Sequence, residues 1–100
     1  MIKKSNQMKI DIRENAMGGK GRIAIKHLFE GKEFNPAMQL CAKVTIEPGA
    51  SIGLHTHEND EEIYFIIKGS GIFDEGTGRT PVFEGDAMLT NKGGSHSLEN

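Results

Sequence analysis

The chain has 100 residues, of which 36% are hydrophobic and 26% charged, with a formal net charge of −2 and an isoelectric point near 6.1. That length suits one small domain, no apolar run approaches the roughly 20 residues of a membrane span, and the slightly acidic balance gives no electrostatic footprint for nucleic acid or an acidic membrane. The opening MIKKSNQMKI carries lysines but lacks the apolar core of a secretory signal, so a cytoplasmic protein is expected. The single cysteine, Cys41, has no internal disulfide partner and fits a reducing compartment; set in the apolar run LCAKVTI, it reads as a small core residue.

In chain order, residues 1–21 are polar and end in Gly18, Gly19, Lys20 and Gly21. They read as an arm lying over a domain spanning 22–100. The glycine run lacks the GK[ST] ending of a phosphate loop and no helix follows it, so it reads as a flexible connection. Strands are predicted over 22–29, 39–46, 62–67, 71–74, 80–83 and 87–90, separated by glycine-rich turns; DEGTGR, from Asp74 to Arg79, is the loop of a hairpin. No helical pattern of useful length appears, and the fold class is all-β, an antiparallel barrel. His27 lies in the alternating run IAIKHLF without a chemical partner nearby in sequence and reads as a hydrogen-bonded surface or interface histidine. Met17 and Met38 read as gap-fillers.

The chemistry concentrates between Gly49 and Gly69. His55 and His57 stand two apart, so on a strand both imidazoles face one side, and the acids Glu61 and Glu62 follow just before an apolar strand. Imidazole is the commonest protein metal ligand, and a carboxylate returning on the neighbouring strand adds an anionic oxygen. A third imidazole, His96, comes after a turn-rich run containing Asn91, Gly93 and Gly94.

These residues resemble the cupin motifs. Gly49, five residues, His55-x-His57, four residues, Glu62, six residues and Gly69 match the first motif at every fixed position. Gly85, Gly93, His96 and Asn100 match the second, with Asn91 in place of the usual proline, a change that concerns loop stiffness. The resemblance implies a cupin-like double-stranded β-helix, or jelly-roll barrel, with one divalent transition metal (Fe, Mn, Ni, Co or Zn) held by His55, His57, Glu62 and His96. Glu62 is preferred over Glu61 because only it keeps the spacing to Gly69, and because Glu62, Tyr64 and Ile66 then share a strand face. Cupin barrels normally continue past the second motif with another strand. That strand is expected to be missing after Asn100, its edge filled by the N-terminal arm or by a partner's strand.

The resemblance further implies a small-molecule ligand or substrate. It allows a metal-dependent enzyme of dioxygenase or isomerase/lyase type, or a non-catalytic module binding a small metabolite or carbohydrate; Tyr64, inward beside Glu62, is the candidate catalytic hydroxyl. The run IYFII, residues 63–67, is apolar on both faces, so Ile63, Phe65 and Ile67 need cover from the second sheet or from a twin subunit, and a homodimer is expected.

Overall fold

The chain forms nine strands: β1 Ile10–Glu14, β2 Arg22–Phe29, β3 Cys41–Ile46, β4 Ser51–Thr56, β5 Glu62–Phe65, β6 Ser70–Asp74, β7 Arg79–Phe83, β8 Ala87–Thr90 and β9 Ser95–Glu99, with apolar–polar alternation clearest in β2 and β8. The computed structural model describes residues 1–100. Its helical content is three single 3₁₀ turns at Ser5–Gln7, Ala16–Gly18 and Gly31–Glu33. Three antiparallel sheets, β1-β2-β3, β4-β9-β6-β7 and β5-β8, wrap into an all-β jelly-roll barrel. The predicted 22–29 and 87–90 strands have those bounds, and the 74–79 loop joins β6 to β7, with the Gly76 N–H donating to Asp74 Oδ1 at 2.7 Å.

Period-two burial places the core. Met88 and Thr90 on β8, His96 and Leu98 on β9, Val82 on β7 and Phe73 on β6 point inward. Phe73, Val82, Met88 and Leu98 form one cluster, with Ile46, Tyr64 and Ile66 packed against it. Only nine of the 100 residues are buried, so this core is thin, and a bound ion or a partner subunit would contribute materially to stability.

Two sequence expectations need correction. The polar N-terminal segment contains β1, which pairs with β2 from Ile10↔Lys26 to Glu14↔Arg22; it extends the sheet of β2 and β3, not the sheet that contains β9. The Gly18–Gly21 run is a packed crossing and not a flexible connection. A Cβ at Gly19 would overlap the Ser51 carbonyl, and one at Gly53 would overlap the Met17 carbonyl. Hydrogen bonds from Lys20 N–H to Ser51 Oγ, 2.9 Å, and from Ser51 N–H to the Lys20 carbonyl, 2.7 Å, hold the crossing. Of the two covers expected for the outer face of β5, the second sheet is not one: Ile63, Phe65 and Ile67 are 72, 60 and 62% exposed in the single chain.

Candidate metal centre

A β-bulge decides which way the histidines face. In the β4–β9 pairing, Ile52 opposes Leu98 and His55 opposes His96, so Gly53 and Leu54 together face the single residue Ser97. Ile52 is buried; strict alternation would send Leu54 inward and His55 outward. The extra residue reverses the parity: Leu54 is exposed, and His55 and His57 turn into the barrel. Glu62 opens β5 on the inward face shared with Tyr64 and Ile66, while Glu61 is exposed. His96, on β9 between β4 and β6, is 1% exposed.

One ligand atom from each of His55, His57, Glu62 and His96 lies within 4.8 Å of the others, a set able to hold a metal ion. His96 Nε2 is 3.0 Å from His57 Nε2 and 3.2 Å from His55 Nε2. Glu62 Oε1 is 3.0 Å from His96 Nε2 and 3.1 Å from His57 Nε2. The ring centroids are 4.7 to 4.9 Å apart.

The opposite ring nitrogens are engaged outside the cluster: His55 Nδ1 with the Gly53 carbonyl at 2.8 Å, His57 Nδ1 with Asp60 Oδ1 at 2.9 Å, and His96 Nδ1 with Thr90 Oγ1 at 2.6 Å. Outer partners of this kind fix ring orientation and tautomer in metal sites. Asp60 and Thr90 were missed in the sequence, although Thr90, two residues after the inward Met88, was accessible from alternation alone.

The donor set fits a divalent transition metal. Nitrogen lone pairs and a carboxylate oxygen packed at 3.0–3.2 Å repel one another unless a cation or a proton lies among them. Glu62 Oε1 is buried and has no hydrogen-bond partner, with His96 Nε2 and His57 Nε2 as its nearest polar neighbours at 3.0 and 3.1 Å. Two ligands about 2.1 Å from an ion are ~3.0 Å apart at 90° and ~3.4 Å apart at the tetrahedral angle. The four short edges are of the size that ligand atoms sharing one ion would have, so these residues would hold a divalent transition metal, which would supply Lewis-acid chemistry there.

Burial raises the Glu62 carboxyl, but the contact with His96, aided by His57 and Tyr64, outweighs burial and holds it below the ordinary carboxyl range. Tyr64 is pushed well above the ordinary phenol range by burial and then by the adjacent Glu62 charge, so its hydroxyl stays protonated. Its ring stacks on His96, with centroids 4.7 Å apart, and meets Phe73 edge-on. The hydroxyl is a hydrogen-bond donor and not a base.

His27 lies outside the cluster, its Nε2 2.8 Å from Asp11 Oδ2. Cys41 is free and half-buried. No lysine or arginine is buried.

The cupin domain family matches residues 42–100. An oxalate-binding protein of Thermotoga maritima is 36% identical over 100 residues, covering 100% of this chain and 83% of that protein. An uncharacterized protein of Methanocaldococcus jannaschii is 28% identical over 76 residues, 76% of this chain and 61% of that one. The crystal structure of a predicted oxalate decarboxylase from Thermotoga maritima superposes with a TM-score of 0.93 at 36% identity, covering 100% of this chain and 87% of that one. Matched in barrel, in motif spacing and over its full length to such a relative, the chain belongs to the cupin family.

Proposed function

We propose that this cupin holds one divalent transition metal through His55, His57, Glu62 and His96 and binds a small carboxylate, of the size and charge of oxalate, at the positions on the ion that the protein leaves open. The carrying observation is the convergence of three Nε2 atoms and one buried carboxylate oxygen, with every Nδ1 engaged elsewhere. Four protein ligands leave one or two positions on a five- or six-coordinate ion, and two adjacent oxygens of a dicarboxylate suit two such positions. The 36% identical oxalate-binding relative supports the same substrate class.

Charge sharpens the reading. No lysine or arginine is buried, so an ion held by the cluster would be the main charge offsetting the desolvation of a bound dianion. Tyr64, kept protonated beside Glu62, supplies a neutral donor for a carboxylate oxygen. When bound, the metal supplies Lewis-acid polarisation of that oxygen.

Calorimetric titration of oxalate into apo and Mn(II)-loaded protein tests the assignment. Heat of binding is expected only for the loaded form. Equal binding by both forms would show that the anion is held by protein groups alone.

A lyase reading, decarboxylation of the bound acid, is favoured by the similarity to the predicted oxalate decarboxylase. Incubation of the Mn(II)-loaded protein with oxalate separates the two: formate and CO₂ in equal amounts mean catalysis, and unchanged oxalate means a binding module.

A further inference from the structure

Two strand edges of the barrel have no neighbour. β3 closes one side of the β1-β2-β3 sheet, β5 has β8 on one side only, and both border the same groove, of about 510 Å³. Pairing parity says which backbone groups point into it, because alternate residues of an antiparallel strand turn their N–H and C=O toward the same neighbour. The Glu47 N–H donates to the Arg22 carbonyl at 3.3 Å, so Thr45 and Lys43 also face β2, and Ala42, Val44 and Ile46 face the groove. The Ile66 N–H donates to the Asp86 carbonyl at 2.9 Å, so Tyr64 and Glu62 face β8, and Ile63 and Phe65 face the groove. No backbone hydrogen bond outside the strand ladders involves Ala42, Val44, Ile63 or Phe65. The Ile46 carbonyl accepts from the Asn100 side-chain amide at 2.6 Å, which agrees with the direction of this edge, since Asn100 also lines the groove.

The side chains complete a strand-shaped berth. Val44 and Ile46 from β3 and Tyr64 and Ile66 from β5 form its inner wall, and the last three pack on the core. A small apolar molecule would cover these side chains but leave both backbone edges unpaired; an extended polypeptide satisfies the two edges together. The charge of the rim narrows the choice. Its charged residues are Lys43, Lys68 and Glu99; Glu99 lies 3.5 Å from Arg79, whereas neither lysine is in a salt bridge. An edge lysine also disfavours pairing with the same edge of a second copy, which would bring lysine to lysine.

We propose that the groove between β3 and β5 is a docking site for an extended segment of another polypeptide, apolar at the alternate residues that point inward and acidic at those between. The segment adds in the plane of the sheet as a strand matching the six residues of β3, roughly 20 Å long. Its inward residues meet Tyr64, whose ring stacks on His96, so the bound strand completes the barrel wall beside the candidate metal centre.

A blocked peptide of about seven residues, alternating valine and glutamate, is the probe, with its valine–lysine counterpart as control. Amide hydrogen exchange followed by NMR locates it. In the free protein the Ala42, Val44, Ile63 and Phe65 amides should exchange faster than their ladder-bonded neighbours Lys43, Thr45 and Tyr64, and saturating glutamate peptide should slow them by about 10-fold or more. The lysine peptide should bind about 10-fold more weakly, and Lys43→Glu combined with Lys68→Glu, both at exposed positions, should reverse that order. No binding of the glutamate peptide, or binding that leaves the four amides unprotected, would overturn strand addition. Amides already protected in the peptide-free protein would overturn it too, because a second copy would then fill the groove. Equal binding of the two peptides by the wild type would overturn the acidic partner.

Discussion

His55 and His96 face each other across the β4–β9 pairing, with their Nε2 atoms 3.2 Å apart, only because the bulge at Gly53 and Leu54 has turned β4 over by one residue. The cluster is therefore a product of strand register as much as of ligand identity. Glu62 and Thr90, Cα partners in the β5–β8 pairing, add an inner and an outer contact to the same imidazole, that of His96.

Ligand substitutions should be graded by position. His57→Ala removes a converging nitrogen and should weaken metal binding by more than about 100-fold, beyond the range seen for outer partners. Glu61→Ala, at an exposed position on the opposite strand face, should leave affinity unchanged. Competition against a chromophoric chelator measures both; a large loss from Glu61→Ala would mean that the wrong acid has been assigned.

Gly53→Ala should be among the most damaging small substitutions in the chain. The added Cβ would overlap the Met17 carbonyl at the backbone crossing, where no flexible side chain can move aside. Overpacking of this kind should cost about 2 kcal/mol or more in urea unfolding and disturb the bulge that aims His55. Ser97→Ala, opposite the bulge, is the control and should change stability far less.

Much of this site was legible in the sequence, for identifiable reasons. The two-residue spacing of His55 and His57 and the motif distances to Glu62 and His96 depend only on chain connectivity and strand period, and the structure brings those four residues together. The strands β2 and β8 were readable because their alternation is long or clean. β4 and β9 were not, because one is interrupted by Gly53 and the other, SHSLE, is mostly polar residues that only a neighbouring strand turns inward. β1 was hidden in a polar segment whose exposed Ile10 and Ile12 carry no strong burial signal. The bulge depends on pairing between residues more than 40 positions apart in sequence, and no local pattern announces it.

The Asp11–His27 contact predicts a specific acid sensitivity. The hydrogen bond from His27 is the main cause that holds the Asp11 carboxyl below its ordinary 3.8, with help from Lys9 and Arg13. A depressed carboxyl contributes stability that is fully present above the unfolded value and is lost as pH falls through the folded one. Asp11→Asn should therefore lower the urea midpoint near pH 6 and make progressively less difference as the pH is taken below about 3. An equal difference at both pH values would rule out this linkage.

The exposed outer face of β5 and β8 predicts self-association. Ile63 pairs with Leu89 and Phe65 with Ala87 across the two strands, and Ile63, Phe65 and Leu89 are all exposed in the single chain. Contiguous apolar patches of this kind are rarely left open to water. Light scattering coupled to size exclusion should give twice the 10.9 kDa chain mass at micromolar concentration, and Phe65→Asp should reduce it to one chain. A wild-type mass of one chain would leave this face without a twin subunit.

The central claim is the four-ligand metal site, and metal content measures it most directly. Elemental analysis of protein purified without chelator, together with titration of the stripped protein by Mn(II), Fe(II), Ni(II), Co(II) and Zn(II), should show saturation at one ion per chain. Saturation should be accompanied by a rise in melting temperature, because an ion bound only by the folded state stabilises it. Protein that is isolated free of metal and takes up none of these ions would contradict the account.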